Sequence, residues 1–132
     1  MIKKSKDYWF HSLEDLEDLK YINPKFFGLT NIVFSLDIFN KSNIILDKLL
    51  DYGLEPKAIG LSSYGGISIH FGNYFNTNHG IIDILNDGKI KVRFHNLTGK
   101  SIIIEWSNIE NYKIYFDYLS DFIASGDYNA GR

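Results

Sequence analysis

The stretch "LSSYGGISIHFGNYFNTNHGIIDILNDGKIKVRF", Leu61–Phe94, decides the fold. From Ile67 to Phe71 apolar residues alternate with Ser68 and His70, the period of two that sends successive side chains to opposite faces of a strand. "KIKVRFH" alternates as plainly and predicts Ile90, Val92 and Phe94 inward, with Lys91, Arg93 and His95 outward. Between them, "GIIDIL" predicts Ile82 and Ile84 inward and Asp83 outward. Asn86, Asp87 and Gly88 mark a hairpin, because Asp-Gly suits the positive φ values of a two-residue turn. Gly65 and Gly66 lead into a strand, so they predict a turn. A phosphate cradle needs its glycines to open a helix, where free backbone N–H groups converge.

Working outward, "SIIIEW" (Ser101–Trp106) predicts a last strand with Ile102, Ile104 and Trp106 inward, reached by a turn at Gly99. Upstream, "LDIFNKSNIILDKLLDY" (Leu36–Tyr52) sets Ile38, Ser42, Ile45, Leu46 and Leu49 on one helical stripe. Gly53 then supplies the C-terminal cap, with Pro56 in the link beyond it. Downstream, Ser107 and Glu110 form an S-x-x-E capping box for a final helix. That helix carries Tyr112, Tyr115, Phe116, Leu119, Phe122 and Ile123 on a broad aromatic face and stops at Gly126. Near the start, "SLEDLEDLKYI" spaces Leu13, Leu16 and Leu19 as a short amphipathic helix with an acidic outer face. The sum is an α+β, two-layer single domain over residues 1–132: an antiparallel meander of about four strands packed against N-terminal and C-terminal helices. Residues 1–11 and 126–132 are its expected loose ends.

Composition narrows the function classes. A chain of 132 residues with 45% hydrophobic and 16% aromatic residues can bury a sizeable core. Its 14 basic and 16 acidic residues give a net charge of −2, without the basic excess of nucleic-acid modules, so no direct nucleic-acid partner is expected. The absence of cysteine removes disulfides, thiolate metal sites and a cysteine nucleophile, and accords with a cytoplasmic setting. No run approaches the roughly 20 apolar residues of a membrane span, and no cofactor motif occurs.

The run from Asp47 to Phe71, followed by Gly80–Val92, resembles a pattern found in small bacterial proteins. In that pattern a helix ends in a proline-bearing link, followed by a Gly-Gly-Ile strand, a partner strand with an Asp-Gly turn, and a later strand bearing Trp. The matching residues are Pro56, Gly65, Gly66, Ile67, Phe71, Asp87, Gly88 and Trp106, and the resemblance spans roughly Leu36–Trp106. It implies the fold and brings no catalytic residue with it. Genes of this kind often look like accessory or mobile-element cargo.

Two sets of residues are candidates for function. The first is the polar strand face: His70, Asp83, Arg93 and His95, with Lys91 and Glu105 alongside. His70, His95 and Asp83 could ligate a zinc-like ion, or His95 could move a proton beside Arg93 or Lys91 in a hydrolase or nuclease. The same alternation is what any one-side-solvated antiparallel sheet displays. Ser62 and Ser63 lack the G-x-S-x-G elbow of a serine nucleophile. The second set is suited to partner binding: Tyr74, Phe75 and His79 in the loop "FGNYFNTNHG", and Glu14, Asp15, Glu17 and Asp18 on the acidic helix. These point to a non-enzymatic module that neutralises another protein, as an antitoxin, immunity partner or inhibitor of a defence nuclease does. A small-ligand sensor with its site between sheet and helices is a further alternative.

Overall fold

The computed structural model describes residues 36–62, 64–72 and 77–126. The acidic residues Glu14, Asp15, Glu17 and Asp18, their helix, and the loop aromatics Tyr74 and Phe75 lie outside these described residues. Helix α1 (Leu36–Tyr52) opens the described chain. Strands follow at Ala58–Leu61 (β1), Gly66–Gly72 (β2), His79–Leu85 (β3), Ile90–His95 (β4) and Ser101–Trp106 (β5). A 3-10 turn at Ile109–Asn111 then leads into helix α2 (Tyr112–Ser125). The strands form one antiparallel sheet in chain order, β1 through β5. This is the α+β two-layer arrangement expected from the patterning.

The helix stripe holds. Ile38, Ser42, Ile45, Leu46 and Leu49 are all buried, and the Ser42 hydroxyl is satisfied by donating to the Ile38 carbonyl at 2.8 Å. Gly53 ends α1 at φ +92°, where its N–H and that of Leu54 both donate to the Leu49 carbonyl. Only a residue without Cβ takes that left-handed turn cheaply.

The sheet carries one strand more than the four expected. β1 occupies what reads as a proline-bearing link, and it exists because it pairs: Ala58 lies opposite His70, Gly60 opposite Ser68. Four residues containing a glycine carry too little local pattern to mark a strand, so β2 supplies the definition. The Gly65–Gly66 turn is as expected, with Ser62 N–H donating to the Gly66 carbonyl at 2.9 Å. Gly66 is fixed sterically as well, since a Cβ there would stand 2.0 Å from the Ile84 carbonyl oxygen.

The Asp-Gly turn differs from its expected form. Leu85 N–H donates to the Lys89 carbonyl, so the loop holds three residues, Asn86–Gly88, and only Gly88 has positive φ. Asp87 instead accepts from the Lys89 N–H, which suits an ordinary turn conformation closed by a left-handed glycine. The β4–β5 connection repeats the device between Asn96 and Lys100, with Gly99 at φ +94°. The capping box is corrected too. Asn108, not Ser107, caps the final helical segment, its side chain accepting from the Glu110 N–H at 3.0 Å.

Both helices cover one face. Ile67, Ile69, Phe71, Ile82, Ile84, Ile90, Val92, Phe94 and Trp106 pack there against Ile45, Leu49, Phe116, Leu119 and Phe122. Phe94 meets Phe122 at 5.2 Å between ring centroids, and Trp106 stands edge-on to Phe116 at 5.8 Å. Burying each such side chain contributes about 1.5–3 kcal/mol, which makes this layer the main source of stability. No described helix is long and apolar enough to cross a membrane.

Candidate functional site on the polar sheet face

Strand register assembles the opposite face in rows. One row runs Gly60, Ser68, Asp83, Lys91, Glu105 across the five strands, and the next runs Ala58, His70, Ile81, Arg93, Ile103. A third sets His79 beside His95 and Ser101. The structure therefore brings His70, Asp83, Arg93 and His95 to one face, with His79 added from the loop candidates.

Asp83 points away from the helices as expected, yet it is 0% exposed, which corrects its reading as a solvent-facing residue. A buried carboxylate survives only with partners, and three bonds supply them. Arg93 Nε donates to Oδ2 at 2.5 Å and Nη2 to Oδ1 at 3.2 Å. The Ser62 hydroxyl donates to Oδ1 at 2.9 Å. Ser62 is held in place by accepting from the Tyr64 N–H, and the Tyr64 ring lies 4.9 Å from the Arg93 guanidinium. Arg93 thus pairs with a carboxylate through its N–H edge and with an aromatic ring beside it.

Beside it runs a chain of imidazoles. Ser68 Oγ lies 2.9 Å from His70 Nε2, and His70 Nδ1 lies 3.1 Å from His79 Nε2. His79 in turn faces His95, ring centroids 4.9 Å apart. At the His70–His79 spacing one of the two nitrogens donates and the other accepts, so the two rings cannot both be doubly protonated. Burial is the first cause that lowers the pKa of each ring. For His70 the nearby Arg93 and His95 add to it against the opposing Asp83. For His79, pushed down to about 4, His70, His95, Lys57 and Arg93 all act in the same direction.

The order hydroxyl, imidazole, second imidazole matches nucleophile, base and orienting group. The hydroxyl, however, belongs to Ser68, which is 1% exposed and lies beneath its neighbours. A nucleophile must meet its substrate, and this one is covered. The metal alternative fares no better in geometry. Among the described residues no three His, Asp or Glu side chains converge as ligands, and both Asp83 oxygens are already committed.

At the far end of the same face, loops converge into a tip. Asn96 Oδ1 accepts from the N–H groups of Thr98 and Lys100, which locks the β4–β5 turn. Asn96 Nδ2 donates to Asn78 Oδ1 at 3.2 Å, and Asn78 Nδ2 donates to the Ile123 carbonyl near the end of α2. Leu97 N–H donates to Thr77 Oγ1 at 3.3 Å, joining the turn to the base of the β2–β3 connection. Leu97 itself is 85% exposed. Leu97, Thr77 and the two asparagines are not among the residues that the sequence pattern marks for binding. The available signal was an apolar residue at the apex of a turn, next to an asparagine able to bond its own backbone.

No family model matches the chain, and neither a curated protein nor a solved structure matches it.

Proposed function

We propose that the chain is a non-catalytic interaction module that binds a partner protein and neutralises it, in the manner of an antitoxin, an immunity protein or an inhibitor of a defence nuclease. The observation that carries this reading is the tip. An apolar side chain, Leu97, stands 85% exposed on a turn tied by hydrogen bonds to two other elements. Solvent gives no reason to fix an exposed leucine so firmly, whereas a preorganised apolar contact lowers the entropy that binding would otherwise lose. Tyr74 and Phe75 belong to the connection whose base, Thr77, is bonded to this turn, and His79 begins the strand that follows. The acidic set Glu14, Asp15, Glu17 and Asp18 suits a partner with a basic groove, where carboxylates imitate phosphates and steer association. A hydrolase reading would draw on the Ser68–His70–His79 order, and its weak point is the depth of Ser68.

The test is reconstitution. The protein that co-purifies from the native host is produced separately and mixed with this chain at equal stoichiometry. Suppression of the partner's activity is expected, and Leu97→Asp or a Tyr74→Ala, Phe75→Ala pair should weaken binding by about tenfold or more. Suppression that ignores these tip variants, or no suppression at all, refutes the reading.

A further inference from the structure

The outer edge of β5 ends the five-stranded sheet. Hydrogen-bonded and non-hydrogen-bonded pairs alternate along an antiparallel ladder, so a single bond fixes the parity of each hairpin. Leu85 N–H bonds the Lys89 carbonyl, which directs the backbones of Lys91, Arg93 and His95 toward β3. Asn96 N–H bonds the Lys100 carbonyl, which directs those of Ile102, Ile104 and Trp106 toward β4. The two assignments agree. They leave the N–H and C=O groups of Ser101, Ile103 and Glu105 pointing away from the sheet, with no strand beyond them among the described residues.

Among the described residues this edge carries little protection beyond the charge of Glu105. It has no proline, all six of its residues pair with β4 without a bulge, and Ile103 is 57% exposed at its centre. Among the described residues the Tyr115 hydroxyl covers it weakly, reaching the Glu105 carbonyl at 3.4 Å, which leaves a lone pair on that oxygen.

We propose that two copies join β5 to β5 in antiparallel register about a two-fold axis at Ile103, making one continuous sheet. Three facts select a copy of the same strand and this register. First, "SIIIE" is self-complementary: Ile103 meets Ile103 of the second copy, Ile102 meets Ile104, and Ser101 meets Glu105, whose carboxylate can accept the serine hydroxyl. Secondly, this alignment uses every outward group, giving roughly six inter-chain backbone bonds, against roughly four when the axis moves to Ile102 or Ile104. Thirdly, an axis at Glu105 would set two carboxylates face to face, which like-charge repulsion disfavours. Isologous pairing of this kind needs one surface only. It also sends the two Leu97 tips in opposite directions and leaves both free, so the dimer and the partner-binding tip use different surfaces.

The full chain is examined by sedimentation at several concentrations, alongside two variants. In Ile103→Pro the lost N–H points outward, so the β4–β5 ladder stays whole and the far-UV spectrum should be unchanged while the dimer falls to monomer. In Ile103→Cys, the only thiol in a chain without cysteine, the facing Cα atoms would lie about 5.5 Å apart, within disulfide range. Mild oxidation should link it as a dimer, whereas Ser101→Cys should stay unlinked. A wild-type chain that is monomeric at about 100 μM overturns the proposal, since weak specific contacts are populated there. So does a dimer that survives Ile103→Pro, or β5 pairing with a foreign protein while the chain itself stays single. A monomer that still neutralises its partner through Leu97 would sink the dimer alone and leave the tip reading intact.

Discussion

Ile82 and Asp83 are neighbours on β3 and equally buried, yet they are stable there for opposite reasons. Ile82 faces the helices and contributes by leaving water. Asp83 faces the other way and would be costly in isolation. It is kept by Arg93 and Ser62, at the price of both partners' freedom to do anything else. On this face the buried carboxylate is held by polar partners, while Leu97 at the tip and Ile103 on the edge are apolar and exposed.

The largest effects should come from breaking either face at its centre. On the helix side, Phe94→Ala removes a ring packed on Phe122 and should cost about 3–5 kcal/mol in urea unfolding. Gly66→Ala should follow, at about 1–3 kcal/mol or more, because the new Cβ strikes the Ile84 carbonyl at a φ of +127°. A Ser62→Ala change, by contrast, removes one bond of three from Asp83 and should cost about 1–3 kcal/mol by thermal melting.

The imidazole chain sharpens the comparison through pH. His79 has its folded pKa lowered to about 4, and His70 is lowered in the same direction, against an ordinary value of 6.5. Between those limits the unfolded chain binds protons that the folded chain refuses. Stability is therefore full above 6.5 and falls as the pH drops toward 4. Urea midpoints followed from about pH 7 to about pH 5 should decline, and His79→Gln should flatten that slope. A helix-face change such as Ile45→Val should shift the whole curve and leave its slope unaltered. The smallest effect belongs to Asn108→Ala, which removes a cap and should cost about 1 kcal/mol.

Local pattern carried most of the fold. Alternation in β2, β4 and β5, the stripe of α1 and the stops at Gly53 and Gly126 all depend on neighbours within a few residues. β1 was illegible because its four residues are a strand only by pairing with β2. The site was legible in membership and not in meaning. Asp83, Arg93 and His70 could be placed on one face, but Ser62 reaches Asp83 across 21 residues through register alone. His70 and His79 meet because the β2–β3 ladder sets Gly72 opposite His79, one step along from His70 opposite Ile81. Knowing the Leu85–Lys89 closure would have given the Asp83–Lys91 pairing, and with it Arg93 as the diagonal neighbour.

The measurement that bears most directly on the closed polar face is a double-mutant cycle on Asp83 and Arg93, read as unfolding free energy. Arg93→Met alone should lose about 3–5 kcal/mol, because it strands a buried carboxylate. Asp83→Leu combined with Arg93→Met should recover most of that loss, since an apolar pair of similar bulk needs no partners. If Arg93→Met is instead as stable as the wild type, Asp83 is not held by this pair, and the polar face is free for the chemistry that its histidines and carboxylate would otherwise suggest.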